Sequence, residues 1–313
     1  KRSYSWRISD NDDGEGDFIN RGTLDSNRGV IYMNAGSGNV RVYHSWDSFS
    51  QSQGSLAETF LINGLGSSAT ALNTSPSQVA GSTSTLFVGN DIGQLWKVLN
   101  ADNPNGQTRV NLTGDEFVGS VSDIEFGKDE NHIFVTFYNY GVESIFYSSD
   151  GGENWSKKEG NLPDIPVYNI LQSPLDEDEV IIGTELGVWF TNNFSSNNPN
   201  WRQANAGMKD LRVTDMDMRK GDNKVFISTY GLGIFSGTFQ NSEPTFTIST
   251  NTTYLEILKG EKKSFDISYN IYNEFNQEVE FSIDGLPDNV NVIYDPSKKY
   301  VIDSNGNLNV EIE

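Results

Sequence analysis

The chain of 313 residues contains no cysteine, so neither a disulfide framework nor a thiolate-bound metal holds it together. Its two histidines, His44 and His132, lie far apart in sequence, which removes most zinc sites and argues against a Ser-His-Asp triad. Basic residues are scarce: 22 Lys and Arg stand against 43 Asp and Glu, for a formal net charge of −21. A surface this acidic repels phosphate backbones and argues against a nucleic-acid partner, while it suits divalent cations and solubility outside the cell. No run of about 18 apolar residues occurs, so no transmembrane segment is expected. The sequence opens at Lys1 without an initiator Met or a signal peptide, and reads as a mature or excised part of a longer chain.

What is plentiful is glycine, 30 residues, which points to many tight turns rather than long helices. Hydrophobic residues at 35% and aromatics at 12% are enough for a packed core. The length suits one large β-architecture or two domains.

An internal period runs through the first 240 or so residues. "SVSDIEF", "PVYNILQ" and "RVTDMDM" align on Val121, Val167 and Val213, at steps of 46 residues. Each is followed by a related run: "HIFVTFYNYG", "EVIIGTELGVWF" and "KVFISTYGLGIFSG". "TLFVGNDIGQLWKV" from Thr85 and "GVIYMNAGSGNVRVYHS" from Gly29 are earlier copies. The units are short runs of Val, Ile, Phe, Tyr and Thr, punctuated by Gly, Asn, Asp and Pro, with no amphipathic helix. Units of 40–50 residues holding about four strands predict β-propeller blades, about five of them or the C-terminal part of a larger propeller.

The stretch "SSDGGENW" falls between two strands of one unit, where a turn is needed. Ser148, Asp150, Gly152 and Trp155 fit the S-x-D-x-G-x-x-W pattern and resemble the Asp box, or bacterial neuraminidase repeat. The local physics is that of a turn: Ser and Asp oxygens accept amide hydrogen bonds, Gly takes a conformation others resist, and Trp covers the hairpin. The expected role is therefore structural. Trp6, in "SYSWRIS", takes the place of Trp155 and Trp201, so residues 3–8 are expected either to close the last unit or to end a preceding blade.

Beyond residue 243 the pattern changes to strands of alternating polarity, among them "TFTIST", "YLEILKG", "KSFDISYNI" and "LNVEIE". This predicts a β-sandwich of Ig-like size over 244–313, after a propeller over 1–243. "FSIDGLPDNVNVIYDP" resembles the strand-turn-strand of bacterial Ig-like repeats. "IIGTELGVWFTNN", "NWRQANAGM" and "VFISTYGLGIFSG" resemble blades of sortilin-like and xyloglucanase-type propellers, and are especially similar to multidomain surface proteins exported by the type IX secretion route. That resemblance implies an extracellular or outer-membrane-surface location in a bacterium, without implying an enzyme.

Five groups of residues are weighed for function. Asp10, Asp12, Asp13 and Asp17, with Glu15 and two glycines, make a loop of alternating carboxylates that would hold calcium; the alternative is a solvated acidic turn. Asp123 and Asp215 stand at equivalent repeat positions, with Asn169 between, and would be the acid and base of a glycosidase if they faced one cleft. Recurrence at one repeat position speaks equally for a shared structural hydrogen bond. Tyr138, Tyr140, Trp189 and Tyr230 would stack on sugars if exposed, and would be core if not. "SWRISD" matches a sialidase motif only superficially, and the three-arginine clamp of those enzymes has no counterpart here. The N-x-S/T triplets are read as chance in an Asn-rich chain. The expectation is a non-catalytic module binding a glycan or a surface protein, or acting as a spacer. Part of a polysaccharide hydrolase, or an accessory region of a secreted peptidase, is the rival.

Overall fold

The computed structural model describes residues 20–44, 59–76, 83–204, 210–240, 245–250, 252, 254–272, 275–283, 285–287, 289–293 and 300–313. Every regular element among the described residues is a β-strand. The chain divides into two compact units, Lys1–Ile170 and Leu171–Glu313.

In the first unit the strands form consecutive antiparallel meanders. β1 (Gly22–Asp25), β2 (Val30–Gly36), β3 (Asn39–Tyr43) and β4 (Thr59–Ile62) make the first sheet, paired in that order. β5 (Ala69–Thr74), β6 (Leu86–Asn90), β7 (Leu95–Leu99) and β8 (Thr108–Asn111) make the second. β9 (Val121–Phe126), β10 (Ile133–Phe137), β11 (Ile145–Ser148) and β12 (Ser156–Lys157) make the third. Sheets of four antiparallel strands, each paired with its sequence neighbour, are the kind from which propeller blades are built.

Packing follows from the two-residue period of a strand. Along β6, Leu86 and Val88 enter an apolar cluster with Val30, Tyr32 and Val42 of the first sheet. Phe87, between them, points the other way into a cluster with Val121, Ile133 and Phe146 of the third sheet. The second strand is thus apolar on both faces because both faces are covered, and β6 and β10 are buried at every position. The last strand meets water instead, and all four residues of β8 are exposed.

Gly89 is glycine because of this packing: a Cβ there would sit 2.4 Å from Cγ1 of Val121. Side chains also stitch sheet to sheet. The Asn34 side-chain oxygen accepts from Ala69 N at 3.1 Å, and Asn73 Nδ2 donates to Ile124 O at 2.8 Å. Arg28, between Asp25 and Asp102 at 3.6 and 3.5 Å, ties the β1–β2 turn to the second sheet.

A fourth sheet runs from β13 (Val167–Gln172), the strand in which the two units divide, through β14 (Val180–Thr184) and β15 (Gly187–Thr191) to β16 (Arg202–Gln203). In the second unit β17 (Val213–Arg219), β18 (Lys224–Thr229) and β19 (Gly233–Thr238) make a three-stranded sheet whose last strand is largely exposed. Val188, Val213, Met216, Val225 and Ile227 form the core beneath.

The remaining strands are of a different kind. β20 (Thr245–Ser249), β21 (Lys263–Tyr272), β25 (Gly306–Ile312) and β23 (Val292–Ile293) pair in that order, and β22 (Gln277–Val279) pairs with β24 (Tyr300–Ile302). Phe246, Phe275, Phe281 and Tyr300 meet ring against ring, with centroids 5.0–6.4 Å apart. The strand expected at "YLEILKG" does not form. Tyr254 and Leu258 are exposed, and the chain turns at Gly260, where Glu261 N bonds Leu258 O. Alternation without a sheet edge to pair with leaves that segment irregular.

Candidate functional site

The turn after β11 is closed by its own side chains. Ser148 Oγ accepts from Gly152 N at 2.9 Å and donates to Asp150 Oδ1 at 2.7 Å. Asp150 accepts from the backbone N and the side-chain amide of Asn154, at 2.9 and 2.7 Å, and these bonds hold its carboxyl down at about 2. Gly151 and Gly152 have φ of 76° and 92°, the left-handed region that a Cβ disfavours. Trp155 donates its ring N–H to Leu112 O at 2.9 Å and packs on Phe117. The Ser148 hydroxyl and both Asp150 carboxylate oxygens are engaged in holding the turn.

A variant of the same device closes the hairpin after β15. Thr191 Oγ1 meets Asn193 Oδ1 at 2.7 Å, and Asn193 accepts from Asn200 N at 2.9 Å, immediately before the buried Trp201. Asn replaces Asp, the loop is three residues longer, and β16 starts directly after the Trp as β12 does after Trp155.

Asp123 and Asp215 share a register position, each just past a bulge on the first strand of its sheet. Asp123 lies opposite Thr136, and Asp215 opposite Ser228. At the bulge, Ser122 Oγ bonds Thr136 Oγ1 at 2.8 Å and Thr214 Oγ1 bonds Ser228 Oγ at 2.7 Å. The Asp123 carboxylate accepts from Ile124 N at 2.9 Å and from Ile170 N on β13 at 3.0 Å, so both its oxygens bind backbone. Asp215 is exposed in the other unit. The expected calcium residues Asp10, Asp12, Asp13 and Asp17 lie outside the described residues, as do residues 3–8. Among the described residues no group of three His, Asp or Glu side chains is placed to hold a metal ion.

The hairpin between the second and third strands carries a feature that reading for strands did not single out. At its tip, Ile92, Tyr140, Leu186 and Leu232 stand 58%, 63%, 44% and 51% exposed, one in each of four sheets. Each precedes a glycine at positive φ: Gly93, Gly141, Gly187 and Gly233, at 83°, 71°, 80° and 81°. The steps between these tips are 48, 46 and 46 residues, so an apolar-Gly pair at the repeat period was the signal available in the sequence. The glycine supplies the hairpin's left-handed residue; nothing in the turn requires a large apolar side chain before it.

The third sheet's tip is held by two carboxylates. Asp164 accepts from Gly141 N and Glu159 from Ser144 N, both at 2.7 Å, so the loop from Tyr138 to Ser144 is clamped at two amides. Burial pushes the Glu159 carboxyl up to about 7, with the charges of Glu143 and Asp164 adding to the shift. Tyr138 stacks on the buried Tyr168, rings 6.1 Å apart and inclined by 10°, while Tyr140 projects into solvent. Of the other expected aromatics, Tyr230 is exposed, and Trp189 is half-buried with its ring nitrogen buried and without a hydrogen-bond partner.

No protein-family model and no curated protein matches the chain. Among solved structures it is similar to the crystal structure of RRP9 WD40 repeats, at 12% identity and a TM-score of 0.45, over 66% of this chain and 58% of that one. The chain thus spans less than two thirds of that structure. The pairing of the strands establishes repeated four-stranded antiparallel sheets, with no helix among the described residues.

Proposed function

We propose that the chain is a non-catalytic binding module of an exported bacterial multidomain protein, displayed at the cell surface or secreted. In this reading residues 1–243 are a β-propeller with Asp-box turns, and residues 244–313 are an Ig-like sandwich that spaces it from its neighbour. The partner is a glycan or a surface protein, met by the hairpin tips. One observation carries the reading: a large apolar side chain recurs, exposed, at the tip of four sheets. The engagement of Asp123 in backbone bonds supports it against the hydrolase, which needs that carboxylate for proton transfer.

One observation favours the rival. Glu159, raised to about 7, has the protonation behaviour of a general acid, and Asp164 is a carboxylate close enough to shift it. Affinity gels containing soluble polysaccharides, with reducing-end release measured in parallel and calcium added or chelated, separate the two. Retardation without new reducing ends is expected of a glycan-binding module, and calcium dependence would direct attention to Asp10–Asp17. New reducing ends, abolished by Glu159→Gln, would replace this reading with a glycosidase.

A further inference from the structure

Within the first unit, three neighbouring loops carry exposed apolar residues side by side. Ile92 caps the β6–β7 hairpin, Val118 (59% exposed) sits in the loop before β9, and Tyr138 and Tyr140 occupy the β10–β11 loop. The loops are in close contact. A Cβ on Gly93 would lie 2.9 Å from Gly119 O, and one on Gly119 would lie 2.4 Å from Asn139 Oδ1, which also accepts from Ser120 N at 2.6 Å. Ile92, Val118 and the two tyrosines therefore form one strip on packed backbone. Asp91, Asp115, Glu116, Glu143 and Asp164 are set in the same loops or beside them, each exposed or half-exposed. Lys157 is ion-paired with two of these acids, Glu116 and Glu143.

Resting on the binding-module reading, we infer that this strip docks a basic, extended segment of a protein partner, with Lys or Arg side chains alternating with aliphatic or aromatic anchors. An apolar centre with a charged rim is the anatomy of a protein interface, and a rim of carboxylates calls for cations opposite. The clamped Tyr140 loop is already ordered, so docking spends little entropy on it. Two of the four anchors, Ile92 and Val118, are aliphatic and give a sugar ring no flat face to stack on. A second copy of the chain carries the same net charge of −21 and is repelled.

The probe is a fluorescent synthetic peptide alternating Lys or Arg with Leu or Tyr, and its control has Glu and Asp at the charged positions. Anisotropy titrations use the full chain near physiological salt. The cationic peptide binds and the anionic one does not. The triple change Ile92→Ser, Val118→Ser and Tyr140→Ser weakens binding at least about tenfold, because central anchors dominate such interfaces. Val110→Ser, on the exposed β8, leaves it unchanged. Asp115→Lys, at an exposed position, weakens it independently and guards against a misfolded triple variant. Equal affinity for the triple variant and the unaltered chain would overturn the inference, as would equal binding of the two peptides or no peptide binding at all. If peptide binding fails while a polysaccharide still retards the chain without being cut, the binding module stands and only the choice of partner falls.

Discussion

Two carboxyl groups in the first unit have been moved in opposite directions, and each direction fixes a sign. Asp150 is depressed to about 2, first by the Asn154 side chain and then by backbone amides, so its contribution to stability is complete above about 3.8 and disappears as pH falls through about 2. Asp150→Ala leaves the Asn154 amide and the Ser148 hydroxyl without their acceptor. The expected cost is about 1 kcal/mol, kept small by solvent around the turn, and urea denaturation near neutral pH would measure it. An unchanged urea midpoint for the variant would contradict the assigned role.

Glu159 behaves in reverse. Its folded value of about 7 lies above the ordinary 4.5 of a glutamate, mainly through burial, so between these values the folded chain holds a proton that the unfolded chain has released. Stability from this group is full below about 4.5 and declines as pH rises through about 7. Glu159→Gln keeps an oxygen for the Ser144 amide and removes the titration. The variant is expected to gain about 1 kcal/mol near pH 8, a figure reduced for the part of the group that faces water, and nothing near pH 4. Parallel pH slopes for variant and parent would show that the carboxyl is not held as described.

Between neighbouring sheets, Gly89 on β6 fits closely against Val121 on β9. Gly89→Ala forces Val121 or the strand to shift, and about 2 kcal/mol of destabilisation is expected from overpacking. Val121→Ala alone leaves a cavity and also destabilises, but the double variant should recover much of the Gly89→Ala cost. A double-mutant cycle that comes out additive would mean that the two strands do not press on each other. The sheets themselves were legible in the sequence because β10 reads as an unbroken run of β-formers, β6 as one up to Gly89, and the period repeats. The turn at 148–155 was legible because its chemistry is contained in eight consecutive residues. Two other features were not. The bulges at Ser122 and Thr214 depend on a hydroxyl partner 14 residues away on the next strand, a pairing that no local pattern announces. Ile92, Leu186 and Leu232 at the hairpin tips do not stand out in the sequence, because an apolar residue in a β-rich run has the same appearance whether it faces a neighbouring sheet or water. Conversely, "YLEILKG" alternates like a strand and lacks only the partner that would make it one.

For the whole molecule the governing quantity is the net charge of −21. Like charges at this density oppose compaction, and salt screens them over a Debye length that shrinks from about 30 Å at 0.01 M to about 8 Å at 0.15 M. The melting temperature should therefore rise with sodium chloride, by a few degrees if screening restores about 1 kcal/mol. Association with a cationic peptide should move the other way over the same range, because the field that strains the fold also draws in a basic partner. The opposite signs make the pair of measurements informative. Stability that falls as salt rises would mean that the carboxylates are mostly engaged in favourable pairs, as Asp25 and Asp102 are around Arg28, rather than repelling one another. Peptide binding that ignores salt would mean that the acidic rim does not face the partner, and the apolar strip of Ile92, Val118, Tyr138 and Tyr140 would then have to hold it alone.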